Sequence, residues 1–78
     1  MSERGVANHT MPNVSRNIRR ALKEQRRLQL EIAEDTGIAY QMINRMLNGR
    51  QPLYLDEIAQ IARALGVSVD SLLKEDGV

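Results

Sequence analysis

Tyr40, Gln41, Asn44 and Arg45 bring a phenol, two carboxamides and a guanidinium within six residues, at spacings that put them on one side of a helix. Flat, hydrogen-bonding groups of this kind suit the edges of bases in the major groove of DNA. The surrounding stretch, QLEIAEDTGIAYQMINRMLNG from Gln29 to Gly49, explains how they come to be presented. Ala33, Gly37, Ile38, Ile43 and Met46 fall at the offsets that lock two short helices across one tight turn and leave the second helix exposed. Ala33 is small because the following helix crosses over it, and Gly37 is permissive because the chain bends there. A β-branched residue at Gly37 is expected to disrupt this packing. The pattern reads as a helix-turn-helix.

No other constellation carries chemistry. His9 is the only histidine and the chain has no cysteine, so a metal shell has too few ligands and disulfides are excluded. Glu31, Glu34 and Asp35 read as solvated residues on the outer face of a short helix, and Asp70 as a favourable charge at a helix start. Ser15, Ser68 and Ser71 lack a histidine base, and there is no glycine-rich phosphate loop. The expectation is a chain without catalytic residues, metal, cofactor or small-molecule ligand.

With 78 residues, the chain forms one domain, able to bury only roughly 60% of its unfolded surface. Phe and Trp are absent, so aliphatic residues and four Met must fill the core. No apolar run approaches the roughly 18 residues that span a bilayer, and the N-terminus lacks the apolar centre of a secretory signal, so a soluble, cytoplasmic protein is expected. The net charge of +1 conceals an asymmetry. Met1 to Leu28 holds seven basic residues against two acidic ones, a net of +5, which leaves −4 for the rest. A polyanion would meet the N-terminal half first, although Arg19, Arg20, Lys23, Arg26 and Arg27 also fit the solvated face of an amphipathic helix.

Residues 1–12 show no periodicity and end at a proline, which predicts a flexible arm. The domain proper is expected over residues 13–75, with residues 76–78 frayed. Asn13 or Ser15 can cap a first helix that buries Val14, Ile18, Ala21 and Leu22 and runs to about Arg26. A second helix covers about Gln29 to Thr36 and ends at Gly37. The third buries Ile38, Ile43, Met46 and Leu47 and stops at Asn48-Gly49 by the same left-handed geometry. Met42 reads as partly buried filler. The fourth starts near Leu55, with Asp56 and Glu57 in its first turn, and stops at Gly66. Ser68 caps a short fifth helix over about Val69 to Lys74. No alternating strand pattern and no repeat survives this reading. The expected fold is all-α, a compact five-helix repressor-like domain.

The segments IAEDTGI, INRMLNGR and IARALGVSVDSLL resemble the helix-turn-helix family of lambdoid phage repressors and Cro (the XRE type), over roughly Val14 to Leu73. The resemblance implies that Gln41, Asn44 and Arg45 read bases, with Tyr40 reaching a base or a phosphate. It implies phosphate contacts from Gln29 at the start of helix two, and from Asn48, Arg50 and Gln51 in the loop after helix three. It also implies subunit contacts from Leu53, Tyr54, Leu55 and Val69. Four positions depart from the family. Leu22 and Leu47 stand where many relatives hold an Arg and Glu pair, so a hydrophobic clasp is expected there instead. Leu28 and Ala39 replace the usual capping residues, at a cost of about 1 kcal/mol each.

These readings converge on a sequence-specific regulator of transcription that binds double-stranded DNA. A repressor of a phage, plasmid or mobile element is the simplest form, binding its operator as a homodimer because one helix reads only a few base pairs. The alternative from another class is a protein-interaction adaptor or antitoxin built on the same scaffold, which a large apolar surface would betray.

Overall fold

Five helices fill the computed structural model, which describes residues 12–74: α1 (Pro12–Gln25), α2 (Gln29–Thr36), α3 (Tyr40–Leu47), α4 (Leu55–Leu65) and α5 (Val69–Leu73). No strand occurs among the described residues. The predicted arm, with Arg4 and His9, lies outside them except for Pro12, as does the predicted frayed end. Pro12, placed with the arm by the sequence reading, instead opens α1. Its fixed φ suits a first helical turn, and its missing N–H is one that no helix would have bonded.

Asn13 and Ser15 consequently sit inside the first turn and do not cap it. Asn13 Oδ1 accepts from Arg16 Nη2 at 3.3 Å, and buried Ser15 donates its Oγ proton to the Met46 carbonyl at 3.0 Å. At its other end α1 stops without a glycine. Arg26 takes the left-handed conformation (φ 56°), which lets the Arg27 N–H reach the Leu22 carbonyl at 2.8 Å and closes the helix.

One aliphatic core draws on every helix: Val14, Ile18 and Leu22 of α1, Ile32 and Ala33 of α2, Ile43, Met46 and Leu47 of α3, Ile58, Ile61, Ala62 and Leu65 of α4, and Leu72 of α5. Leu22 and Leu47 are both buried in it, as the apolar replacement of an ion pair requires. Leu53, in the loop before α4, is 0% exposed and belongs to the same core. It therefore cannot form the subunit contact expected of it, since its side chain is already spent inside one protomer. Ile38 lies in the turn and not in α3, half-buried against the core.

Three polar side chains of the α1 region tie distant helix ends together. Buried Asn17 donates through Nδ2 to the carbonyls of Leu72 (2.8 Å) and Lys74 (2.7 Å), while its Oδ1 accepts from Arg20 at 3.1 Å. Gln25 Nε2 donates to the Leu65 carbonyl at 2.8 Å. These carbonyls are among those that a helix C-terminus leaves without an internal partner. Arg27 pairs with Glu31 (2.9 Å) and Asp35 (2.7 Å) on α2 and donates to the Ala64 carbonyl at 3.2 Å. Arg27 thus leaves the freely solvated basic face to which the sequence assigned it, and Glu31 and Asp35 are ion-paired where simple solvation was expected.

The hydrogen bond from Arg27, and next that from the Leu28 N–H, hold the Glu31 carboxyl below its ordinary pKa. A carboxylate depressed on folding stabilises the fold above its unfolded pKa, and that contribution fades as the pH falls through the folded value. Urea titrations of the wild type should show stability declining below about pH 4–5, the range where an unfolded Glu takes up a proton. Glu31→Gln should be less stable at neutral pH and show a shallower acid decline. Parallel curves for the two proteins would remove Glu31 from this role.

Candidate nucleic-acid interface

The α2–turn–α3 unit is set by local bonds. Leu28 precedes α2 with no side-chain acceptor, as expected, but Glu31 reaches back and accepts the Leu28 N–H at 3.2 Å. Half of a capping box is therefore present, and its signal was the Glu three residues into the helix. Ala39 supplies no side-chain cap to α3. In the turn, Thr36 Oγ1 donates to the Ile32 carbonyl at 2.8 Å and accepts the Ile38 N–H at 3.1 Å. Gly37 sits at φ 80° and donates to the Ala33 carbonyl at 2.9 Å.

A Cβ built at Gly37 meets nothing within 4 Å. The expected packing clash is therefore absent, and what excludes a β-branched residue is the left-handed backbone itself. Gly37→Val should lower unfolding free energy by about 1–2 kcal/mol, and Gly37→Asn, which tolerates this conformation, by clearly less. Denaturant melts of the two variants decide the point: equal losses would return the explanation to side-chain packing.

α3 turns Ile43, Met46 and Leu47 into the core, which fixes its opposite side toward solvent. Tyr40, Gln41 and Arg45 are exposed and Asn44 is half-buried. With Asn48 and Arg50, these four line one open, shallow cleft of about 480 Å³. All four predicted base readers thus stand together, and two of the four predicted phosphate ligands join them. Among the described residues no carboxylate lines the cleft, while Arg45 and Arg50 make it cationic.

Gln29 meets this group through Asn44, whose Nδ2 donates to Gln29 Oε1 at 3.1 Å. On the other side Asn48 Nδ2 donates to Asn44 Oδ1 at 3.2 Å. Gln51 is half-buried and stands outside the cleft lining. Gly49 alone carries the left-handed backbone after α3 (φ 73°), whereas Asn48 has φ −97°, so only the second half of the expected Asn-Gly stop uses that geometry.

Beside the cleft, Tyr40 also lines a largely apolar hollow of about 500 Å³ with Leu28, Gln29 and Leu30. Leu28 is 64% and Leu30 51% exposed, and Met42, expected as partly buried filler, is exposed as well. In the sequence, Leu28 stands out only as a missing cap. Its position beside the reading helix depends on how α2 is rotated, which two buried residues of α2 leave weakly determined. Of the remaining predicted subunit contacts, Tyr54, Leu55 and Val69 are half-buried, with Leu55 and Val69 resting against the core.

Comparison with known proteins agrees with this geometry. A family model described as helix-turn-helix matches residues 18–72. The fold is similar to that of the hypothetical transcription factor NHTF from Neisseria, at 22% identity and a TM-score of 0.80, covering 97% of this chain and 87% of that one. It is similar to the restriction-modification controller protein C.AhdI from Aeromonas hydrophila, at 18% identity and a TM-score of 0.74, covering 78% of this chain and 92% of that one. A second restriction-modification controller protein, solved as a tetramer in complex with its natural 35 base-pair operator, shares 20% identity at a TM-score of 0.69, over 81% of this chain and 93% of that one. No curated protein sequence matches the chain.

Proposed function

The chain belongs to the helix-turn-helix family, and from that membership we propose that it is a sequence-specific, double-stranded-DNA-binding transcriptional regulator. The observation that carries this reading is the cleft on the outer side of α3, where Tyr40, Gln41, Asn44 and Arg45 converge with Arg50 and no carboxylate among the described residues intervenes. Gln41, Asn44 and Arg45 read base edges, and Tyr40 reaches a base or a phosphate. Arg50 and Gln51, in the loop after α3, meet the phosphates that flank a helix seated in the groove, and Gln29 and Asn48 adjoin the reading surface through their bonds to Asn44. One such helix spans few base pairs, so the protein acts as a homodimer on a two-fold operator, with Tyr54, Leu55 and Val69 at the subunit contact. The operator complex of the structurally similar controller protein supports this choice of partner. Repression of a phage, plasmid or other mobile element by occluding its promoter is the simplest mechanism.

Selection of bound sequences from a random duplex pool, followed by titration at several salt concentrations, tests the proposal. A two-fold consensus whose affinity falls steeply with salt is expected. The exposed Leu28, Leu30, Tyr40 and Met42 favour a second reading, a protein-binding adaptor or antitoxin. Recovery of no consensus, together with salt-insensitive binding of a protein, would replace the first reading with that one.

A further inference from the structure

Resting on the DNA-binding reading, we propose that Gln29 and Asn48 are positioning residues that hold the Asn44 carboxamide, and that Asn44 so held reads adenine. The three amides form a head-to-tail chain drawn from two helices and a loop: Asn48 Nδ2 donates to Asn44 Oδ1, and Asn44 Nδ2 donates to Gln29 Oε1. A carboxamide has two N–H donors and two acceptor lone pairs. Each kind is used once here, so Asn44 keeps one donor and one acceptor on a single plane. Adenine presents the complement in the major groove, the N7 acceptor beside the N6–H donor. Guanine presents two acceptors there, cytosine a donor alone and thymine an acceptor beside a methyl group. Turning over the Asn44 amide alone would set donor against donor and acceptor against acceptor, so its orientation is coupled to its neighbours', and in either sense of the chain it keeps one free donor and one free acceptor. Half-burial of Asn44 limits its other rotamers.

This arrangement predicts a different behaviour for Gln29 from that of a phosphate ligand. A phosphate grip weakens binding to every sequence alike, whereas loss of a brace acts at the base pair that the braced residue reads. The test uses the full chain and a duplex selected from the random pool, with dissociation constants measured for all four base pairs at each half-site position. Wild type is expected to prefer adenine about tenfold or more at one position, and to lose about tenfold when 7-deazaadenine, which lacks N7, replaces it. Asn44→Ala should abolish both effects at that position only. Gln29→Ala and Asn48→Ala should each reduce the preference severalfold at the same position, and the loss from Gln29→Ala should be non-additive with that from Asn44→Ala. Gln29→Glu keeps an acceptor for Asn44 Nδ2, so it should retain the adenine preference while its charge weakens all duplexes together. Circular dichroism melts establish that each variant is folded at the temperature of the binding assay. Uniform, additive losses from Gln29→Ala, or a base other than adenine at the Asn44 position, overturn the inference and leave the regulator reading standing. Absence of any selected sequence overturns both.

Discussion

Asn17→Ala should destabilise the fold by about 2–4 kcal/mol, because it removes the Nδ2 donors that reach from α1 to the buried Leu72 carbonyl and the neighbouring Lys74 carbonyl. Each bond contributes about 1 kcal/mol, and a buried carbonyl left without a partner costs about 1–3 kcal/mol more. A chain of this length holds roughly 4–12 kcal/mol in total, so the loss is a large share. The melting temperature should fall on the order of 10–25 °C, given about 4–8 °C per kcal/mol for a domain of this size. Asn17→Asp isolates the cause. It preserves the shape and the acceptor facing Arg20 but sets a carboxylate oxygen against two carbonyls, so it should be at least as damaging as alanine. A nearly wild-type melt for Asn17→Asp would show that the donors contribute little, and would leave α5 held by Leu72 and its apolar neighbours.

The largest effects on binding are expected at the two exposed, fully polar readers of α3. Gln41→Ala and Arg45→Ala should each weaken binding to the selected operator by roughly 5- to 150-fold, the range that follows from about 1–3 kcal/mol per strong base contact. Neither side chain is buried, so both variants should melt close to wild type. Affinity for unrelated duplex should change far less for Gln41→Ala, which removes no charge. Arg50→Ala provides the contrast: it should weaken all duplexes similarly and reduce the salt slope by about one. If Gln41→Ala and Arg45→Ala instead lowered affinity equally on every sequence, they would join Arg50 as backbone contacts and leave Asn44 as the reader.

The parts of this fold legible in the sequence are those marked by local chemistry. Gly37 and Gly66 end α2 and α4 at positive φ, and Ser68 accepts the Ser71 N–H at 3.1 Å to start α5, all as their residue types predict. The outer side of α3 was readable for a related reason. Ile43, Met46 and Leu47 fix the rotation of that helix, so the polar residues between them have only one direction left.

What escaped the sequence depends on partners far along the chain. Asn17 lies among the polar residues of amphipathic α1 and Arg27 just beyond its end, and nothing in the sequence beside them points to the carbonyls they reach. Those carbonyl partners are 37 to 57 residues away. Leu53 illustrates the converse, since an apolar residue in a loop beside a proline reads equally as a subunit contact or as a plug. Only the packed structure shows that it is a plug. Arg26 takes a left-handed conformation with no glycine or asparagine to announce it, because the tertiary position of α2 dictates where α1 must stop. The bond from Asn44 to Gln29 crosses the turn between two helices, so it depends on how α2 and α3 pack, although Gln29, Asn44 and Asn48 each stand out in the sequence.

The bond from Asn17 to the Lys74 carbonyl has a topological consequence. Asn17 lies five residues into α1, about 7.5 Å along the helix from Pro12, so the start of α1 and the residue that follows α5 are near neighbours. A short flexible bridge can join them, and the polypeptide can be reopened in the exposed stretch around Gly49 and Arg50 without severing a helix. The order in which the helices are strung is therefore separable from the shape they make together.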